Sequence, residues 1–283
     1  MLRHIREVCR SGGAAVRIRL QGTAWQLHHW VSSNQELSDS VANVHSYIPQ
    51  GATSPDEYPK SIYGTEVFEV NDNLRQLAIG FAKTAQLNDS EDAITYRANY
   101  AQSDAFTAGS QAPLVLGCDA ATSDVYFSGT LLSESFESYT KLATNGSGTY
   151  CLTAQEDNAT LEALLRAASH KLVDFARIII LRTASDYDRE YPGQESYTNL
   201  FYAEQGAFEP AIQNIYLAGV KVVQGILSAW ETTFKGGIPA GNYIGDIFGT
   251  LGGTPDFGLP GYDPQPLKRR MRKRNAVGGV KWT

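Results

Sequence analysis

Residues 149–171 read TYCLTAQEDNATLEALLRAASHK and place a short strand directly before a helix. The first six residues are mostly apolar or small, which favours a buried strand over 149–154. From residue 157 onward, leucine and alanine recur at spacings of three and four, which predicts an amphipathic helix over 157–171. The triple isoleucine within residues 177–182 predicts the next strand.

The chain on either side continues this alternation of strands and helices. A short apolar run at residues 113–118 predicts another buried strand. Apolar spacing and capping residues predict helices over 65–87, 90–102, 131–142 and 208–234. Strands that alternate with helices indicate an α/β fold whose sheet is mostly parallel or mixed.

Composition divides the chain into three parts. Residues 1–45 are rich in arginine and show neither alternation nor a helical stripe, so we expect an irregular segment there. Residues 46–260 begin with a proline-rich loop and carry the predicted strands and helices. Residues 261–283 are basic, and we expect a disordered tail; a localisation signal or a polyanion contact is the alternative.

The charge distribution argues against binding to nucleic acid. Of the 283 residues, 46–265 hold 12 Lys and Arg against 27 Asp and Glu, so this region repels a phosphate backbone. No stretch approaches the roughly 18–20 apolar residues that a membrane span needs. We therefore expect no transmembrane segment, and the first residues lack the apolar region of a signal peptide.

The three cysteines leave disulfide pairing open. Cys9, Cys118 and Cys151 show no ligand spacing, so we expect no metal site. Cys118 and Cys151 lie beside predicted strands and can pair if those strands are neighbours. Sequons for N-glycosylation, which hint at a secretory route, occur at Asn88, Asn145 and Asn158.

A carboxylate follows each of three predicted strands. Asp124 comes after the strand at 113–118, Glu156 after the strand at 149–154, and Asp186 after the strand at 177–182. Ligand sites in parallel sheets collect at the carboxyl ends of the strands. If the three strands are adjacent, we expect their carboxylates to converge on one crevice.

Such a crevice would suit cleavage of a purine N-glycosidic bond. That reaction needs an acid for the leaving base, a carboxylate for the ribose hydroxyls and an aromatic face for the purine. Asp186 is the candidate acid if burial or a nearby carboxylate raises its pKa. Glu156 can accept two hydroxyl hydrogen bonds, and Tyr126 or Phe127 can stack on the base.

Each of these residues also has an ordinary structural interpretation. Asp186 alone is typical of a turn or a helix cap, and Glu156 of a first helical turn, where acids are favoured by the helix dipole. The two aromatic residues after Asp124 fit core packing equally well. Asp188 and Arg189 are expected to form a surface ion pair.

Six stretches, taken together, resemble one protein family. They are YIPQG at 47–51, SPDEYP at 54–59, ATSDVYFSG at 121–129, AQEDNAT at 154–160, RTASD at 182–186 and FEPAIQN at 208–214. From about residue 47 to residue 258 the chain resembles the purine nucleoside permease family of fungi and bacteria. More distantly, the order of the strand-end motifs resembles that of the nucleoside phosphorylase and nucleosidase superfamily.

The resemblance implies an incomplete nucleoside phosphorylase-like domain with three layers. It implies Asp186 at the base-protonating position and Glu156 at the ribose-binding position, with further substrate contacts by Asp124, Gln155, Tyr126, Phe127 and Ser185. The implied ligand is adenosine, inosine or guanosine. The resemblance implies no cofactor, although phosphate can act as a co-substrate, and it is compatible with a homo-oligomer.

Some features depart from the family pattern. Gln155 stands where many relatives have methionine, and residues 122–124 lack the usual glycine. Relatives carry an N-terminal half-sheet before the position of Tyr47, so we expect a truncated chain. Three functions stay open: cleavage by phosphate or water, nucleoside binding that assists membrane transport, and an inactive fragment. The family suggests a secreted or cell-surface location.

Overall fold

The computed structural model describes residues 17–26, 48–49, 52–59, 62, 64, 66–123, 128–155, 157–255 and 257, with backbone only for residues 17–26, 105, 123 and 155. The strands are β1 Arg17–Gln26, β2 Val67–Glu69, β3 Leu114–Ser123, β4 Tyr150–Gln155, β5 Leu181–Thr183 and β6 Gly245–Asp246. The α-helices are α1 Asp72–Ala82, α2 Glu91–Ala98, α3 Thr130–Ala143, α4 Asp157–Ser169, α5 Ser196–Phe201 and α6 Phe208–Ser228. Short 3₁₀ segments lie at Asn99–Gln102, Asp104–Ser110 and Phe175–Arg177, and a π turn at Trp230–Phe234 follows α6.

The described strands form one sheet of mixed direction. Its order is β4-β3-β1-β2-β6, and β5 also pairs with β1. The strands β1, β3 and β4 run parallel, with Ser123 opposite Gln155 at the ends of β3 and β4. The strands β2 and β5 both run antiparallel to β1, and β6 runs antiparallel to β2. The predicted α/β class is confirmed in this coarser form.

The structure differs from the prediction at three elements. The segment over 1–45, which was expected to be irregular, contains β1, although its sequence shows no clean alternation. The helix predicted over 65–87 begins only at Asp72, because residues 67–69 pair with β1 and β6. The strand predicted over 177–182 is reduced to Leu181–Thr183. The divisions at residues 46 and 261 stay predictions.

Helices cover both faces of the chain that leads into β5. Ile179 and Leu181 pack with α1 and α6, in a cluster that contains Ala78, Ile79, Val115, Ala218 and Val222. Ile178 and Ile180 pack instead with α4, against Leu161, Leu165 and Phe175. Because alternate residues of an extended segment point to opposite faces, the two helix layers lie on opposite sides of it.

A disulfide bond joins β3 to β4. Cys118 and Cys151 are bonded across the two neighbouring strands, with their Cα atoms 6.3 Å apart. This settles the pairing that the sequence left open, since the condition was that the two strands be neighbours.

No helix among the described residues combines the length and the apolarity that crossing a bilayer requires.

Candidate functional site

The loop that follows β5 is packed against the rest of the chain on both sides of Ser185 and Asp186. Residues 184–195 form this segment, called here the β5–α5 loop. Ala184 is buried with Ala120 of β3 and Leu152 of β4, and Tyr187 is buried in an aromatic cluster. Between them Ser185 is half-buried and Asp186 is exposed. At Asp186 the loop therefore presents a carboxylate to solvent between two buried residues, Ala184 and Tyr187.

The centre of the loop is a buried ion pair between sequence neighbours. The side chains of Asp188 and Arg189 are only 8% and 2% exposed, and their closest charged atoms are 2.9 Å apart. The Tyr150 hydroxyl of β4 donates to Asp188 Oδ2 at 2.6 Å. The expectation of a surface ion pair is wrong, because both side chains are buried and Tyr150 of β4 and Ser133 of α3 contact Asp188. The sequence around residue 188 gives no sign of these contacts.

The surroundings of Asp188 keep it ionised. Burial alone would raise its pKa, but the Arg189 charge and the hydrogen bonds from Arg189 and Tyr150 outweigh burial and lower it. Burial acts against the charge of Arg189, yet the Asp188 carboxylate raises the pKa of that guanidinium group. Burial, and then the Asp188 charge, raises the pKa of Tyr150 well above its usual value. The tyrosine thus stays protonated and can donate to Asp188.

Tyrosines hold the backbone of the loop from its other side. Tyr187 stacks on Tyr100, with ring centres 3.6 Å apart. The Tyr100 hydroxyl donates to the Arg189 carbonyl at 2.8 Å, and the Tyr187 hydroxyl donates to the Gly109 carbonyl at 2.7 Å. Burial raises the pKa of Tyr100, so this ring stays neutral, and the hydroxyl of each ring has a hydrogen-bond partner.

The chain that follows β3 is joined directly to the β5–α5 loop. The Gly129 N–H and the Ser133 hydroxyl both donate to the Asp188 carbonyl, at 2.9 and 2.7 Å. Asn199 of α5 donates to the Ser128 hydroxyl at 2.6 Å. The segments after β3 and after β5 therefore lie together, as the sequence argument required, although the residue that joins them is Asp188.

The first residues of α4 are tied to two other strands. Asp157, whose side chain is 5% exposed, pairs with Arg182 of β5, which donates from Nε to Oδ2 at 3.1 Å. The next residue, Asn158, accepts a 2.7 Å hydrogen bond from the Thr122 hydroxyl of β3. These two contacts fix the N-terminus of α4 against β3 and β5, directly after the end of β4.

The structure describes only some of the predicted site residues. Asp124, Tyr126, Phe127 and Glu156 lie outside the described residues, and only the backbone of Gln155 is described, opposite Ser123. The ends of β3 and β4 do lie side by side. The end of β5 does not share their direction, because β5 runs antiparallel to β1, which is parallel to β3. The predicted substrate contacts of these residues stay predictions.

Asp186 lies in a polar and open environment. The Ser185 hydroxyl donates to Asp186 Oδ2 at 2.5 Å. Burial chiefly raises the pKa of Tyr96, and the Asp186 charge adds to this effect, so the phenol lies within electrostatic range of the carboxylate. Because Asp186 is exposed, burial does not supply the desolvation that the predicted acid role needs. Its geometry suits accepting hydrogen bonds from a ligand.

The described part of the chain contains no cluster of three or more His, Cys, Asp or Glu arranged to hold a metal ion. The expectation that no metal takes part stays a prediction. Sequence reasoning missed Tyr150, Asp188 and Arg189 as a unit, since no local pattern links residues 38 positions apart. The adjacent opposite charges just after a strand were the only available signal.

Comparison with known proteins identifies relatives of the chain. It is 44% identical over 223 residues to a "Purine nucleoside permease" of Candida albicans, a match that covers 78% of this chain and 54% of the relative. A probable purine nucleoside permease of Schizosaccharomyces pombe is 35% identical over 182 residues, which is 64% of this chain and 51% of the relative. The chain thus spans about half the length of the curated relatives that it matches.

No solved structure is significantly similar to this chain. The sequence profile described as purine nucleoside permease matches residues 25–239, which is most of the chain. The match begins at the end of β1 and ends beyond α6, so it contains β2 to β5, the β5–α5 loop and the start of α4. On this match and on the identity to its relatives, the chain belongs to the purine nucleoside permease family.

Proposed function

We propose that this chain binds purine nucleosides, with Asp186 accepting hydrogen bonds from hydroxyl or amino groups of the ligand. One observation carries the proposal: Asp186 is exposed, while Ala184, Tyr187 and Arg189 around it are buried. A carboxylate presented in this way on a fixed loop is typical of a binding group, because ordering the loop costs free energy during folding and not during binding. The ligand class comes from the name that the relatives carry.

The other predicted contacts complete the proposed site. Glu156 and Gln155 would meet the ribose, since the start of α4 is fixed by Asp157 and Asn158. Asp124, Tyr126, Phe127 and Ser185 are proposed to meet the base or the sugar, from the segments that follow β3 and β5. Because described residues of those two segments are hydrogen-bonded to each other, a single ligand could reach both.

Calorimetric titration tests the binding proposal. The purified chain is titrated with adenosine, inosine and guanosine, and the same titrations are repeated on Asp186→Asn. A hydrogen bond to a charged group contributes about 1.5–3 kcal/mol, so we expect roughly ten- to hundred-fold weaker binding in the variant. Asp104→Asn is the matched control, because Asp104 is also an exposed aspartate and the substitution removes the same charge. Equal affinity in Asp186→Asn and the parent would overturn the role of Asp186.

Cleavage of the N-glycosidic bond is a second candidate, favoured by the junction of the segments after β3 and β5 at Asp188. In this case Asp186 would protonate the leaving base once a bound ligand excludes water from it. Incubation with inosine, with and without phosphate, distinguishes the outcomes. Ribose 1-phosphate indicates phosphorolysis and free ribose indicates hydrolysis. Binding without turnover would leave a binding protein that assists nucleoside uptake, and neither binding nor turnover would indicate an inactive chain.

A further inference from the structure

The three N-glycosylation sequons differ sharply in their surroundings. The sequon at Asn158 is closed, since this residue is 4% exposed and its side chain accepts a hydrogen bond from Thr122. It also lies in the first turn of α4. An oligosaccharide could not be joined to this amide in the folded chain without breaking the contact between α4 and β3.

The sequon at Asn88 is also engaged in tertiary contacts. Asn88 is exposed, but its amide donates to Gln213 of α6 at 2.7 Å, and its backbone N–H and carbonyl both bond to Asn214. The hydroxyl of the same sequon belongs to Ser90, which caps α2 and donates to the Gly206 carbonyl at 2.8 Å. The Asn88 amide and the Ser90 hydroxyl of this sequon therefore both take part in tertiary contacts.

The sequon at Asn145 is open. Asn145, Gly146 and Ser147 form the turn after α3, and all three are exposed. Asn145 has φ 52° and Gly146 has φ 83°, a left-handed turn that asparagine and glycine adopt readily. The Gly146 N–H donates to the Lys141 carbonyl at 2.8 Å, so the turn is well formed. Among the described residues, no hydrogen bond is seen to the Asn145 side chain, and the Ser147 hydroxyl donates only within the same turn, to the Thr144 carbonyl at 2.8 Å.

The disulfide bond supplies a second, independent observation. Cys118 and Cys151 are both buried and bonded to each other. Disulfide bonds form and persist in the secretory pathway and outside the cell, and they are rare in the cytosol. Asparagine-linked oligosaccharides are added to sequons of proteins that enter the same pathway.

We propose that Asn145 carries an N-linked oligosaccharide and that the sequons at Asn88 and Asn158 stay unmodified. The donor is an oligosaccharide linked through its anomeric carbon to a lipid diphosphate. A bond forms between Asn145 Nδ2 and that carbon, the bond from the carbon to the diphosphate oxygen breaks, and the lipid diphosphate leaves. The amide nitrogen loses one proton, and no oxidant or reductant is needed.

The test uses the full chain made in yeast behind a cleavable secretion leader. Enzymatic removal of N-glycans should lower its mass, and peptide mapping of the untreated chain should find the glycan-bearing residue at position 145 only. Asn145→Gly keeps the left-handed turn and should abolish the mass change. Ser147→Ala should abolish it too, whereas Ser147→Thr should keep it, because threonine also completes a sequon.

The outcomes separate cleanly. A mass change that survives in Asn145→Gly, or that moves to Asn88 or Asn158, overturns the proposal. Linked peptides containing Cys118 and Cys151 show that the chain reached an oxidising compartment, and an absent glycan on such material overturns the proposal directly. Material with neither the bridge nor the glycan overturns it as well, because the compartment on which it rests is then not reached.

Discussion

The β5–α5 loop and the first turn of α4 both bury an aspartate against an arginine, but they do so in different ways. In the loop, Asp188 and Arg189 are sequence neighbours and both are buried. At the start of α4, the buried Asp157 reaches Arg182, which is 25 residues away and whose side chain is 41% exposed. The first pair fixes the conformation of a loop, and the second ties a helix to a strand.

This difference sets how much each contact should contribute to stability. Breaking a buried ion pair leaves an uncompensated charge in the interior, which is strongly destabilising. In a pair that includes a solvent-accessible partner, water replaces much of the lost interaction. Asp186, two residues before Asp188, is exposed, and among the described residues it has a hydroxyl neighbour and no ion pair, so its loss should matter for ligands alone.

The largest effect is expected for Asp188→Asn. This change leaves Arg189 buried without a counter-charge, and we expect a loss of about 3–5 kcal/mol of unfolding free energy. Urea denaturation followed by circular dichroism measures it. A double variant, Asp188→Leu with Arg189→Leu, removes both charges and should recover part of the loss. A change below about 1 kcal/mol in the single variant would place the pair in the class of surface ion pairs.

Lowering the pH should remove the stabilisation by the Asp188–Arg189 ion pair without a mutation. The Arg189 charge holds the pKa of Asp188 below its ordinary value in the folded chain, in spite of burial. The contribution is therefore present above the ordinary aspartate pKa of about 3.9 and is lost as the pH falls from there through the lowered folded value. The difference in unfolding free energy between the parent chain and Asp188→Asn should shrink below about pH 4. A difference that stays constant down to pH 2 would contradict the assigned direction.

Tyr150→Phe should have an intermediate effect. It deletes the hydroxyl that donates to Asp188 at 2.6 Å but leaves Arg189 in place. Hydrogen bonds to charged groups contribute about 1.5–3 kcal/mol, so the loss should be smaller than that of Asp188→Asn. Chemical denaturation of the two variants side by side gives the ranking. A loss in Tyr150→Phe as large as that in Asp188→Asn would indicate that the hydroxyl, not the ion pair, secures the loop.

Much of the fold could be predicted from local pattern. The leucine spacing predicts α4, and the short apolar runs predict β3 and β4, because periodicity reports which face of an element is buried. The direction of β5 could not be predicted, since a run of isoleucines has the same appearance in a parallel and an antiparallel strand. Val67 fits a helical stripe in sequence, and only the pairing of residues 67–69 with β1 and β6 shows a strand there.

The candidate site was less accessible to prediction because its contacts are not local. Asp186 was singled out from the strand before it, and its exposure depends on how the whole loop packs. The burial of Asp188 depends on Tyr150, and that of Asp157 on Arg182. No pattern within a dozen residues encodes such partners. The disulfide bond between Cys118 and Cys151 could be predicted only on the condition that their two strands are neighbours.

Arg182→Gln tests the weaker of the two pairs. The arginine side chain is partly exposed, and the buried Asp157 lies in the first turn of α4, where the helix dipole still stabilises its charge, so we expect a loss of about 1 kcal/mol. The effect should weaken further at high salt, because the exposed arginine is screened. Thermal denaturation at low and high ionic strength gives both values. A loss comparable with that of Asp188→Asn would show that the tie between α4 and β5 is as important as the buried pair.

The smallest effect on stability is expected for Asp186→Asn. A small effect would show that this carboxylate serves ligand binding and not folding. The side chain is exposed and keeps a neighbour, Ser185, that can bond to an amide as well as to a carboxylate. Surface substitutions of this kind stay within about 0.5 kcal/mol. Denaturation midpoints equal to those of the parent chain, together with weaker nucleoside binding, would separate ligand recognition from folding at adjacent positions of one loop. A stability loss of several kcal/mol would instead make Asp186 part of the same structural unit as Asp188, and weaker binding in the variant would then report a disturbed loop.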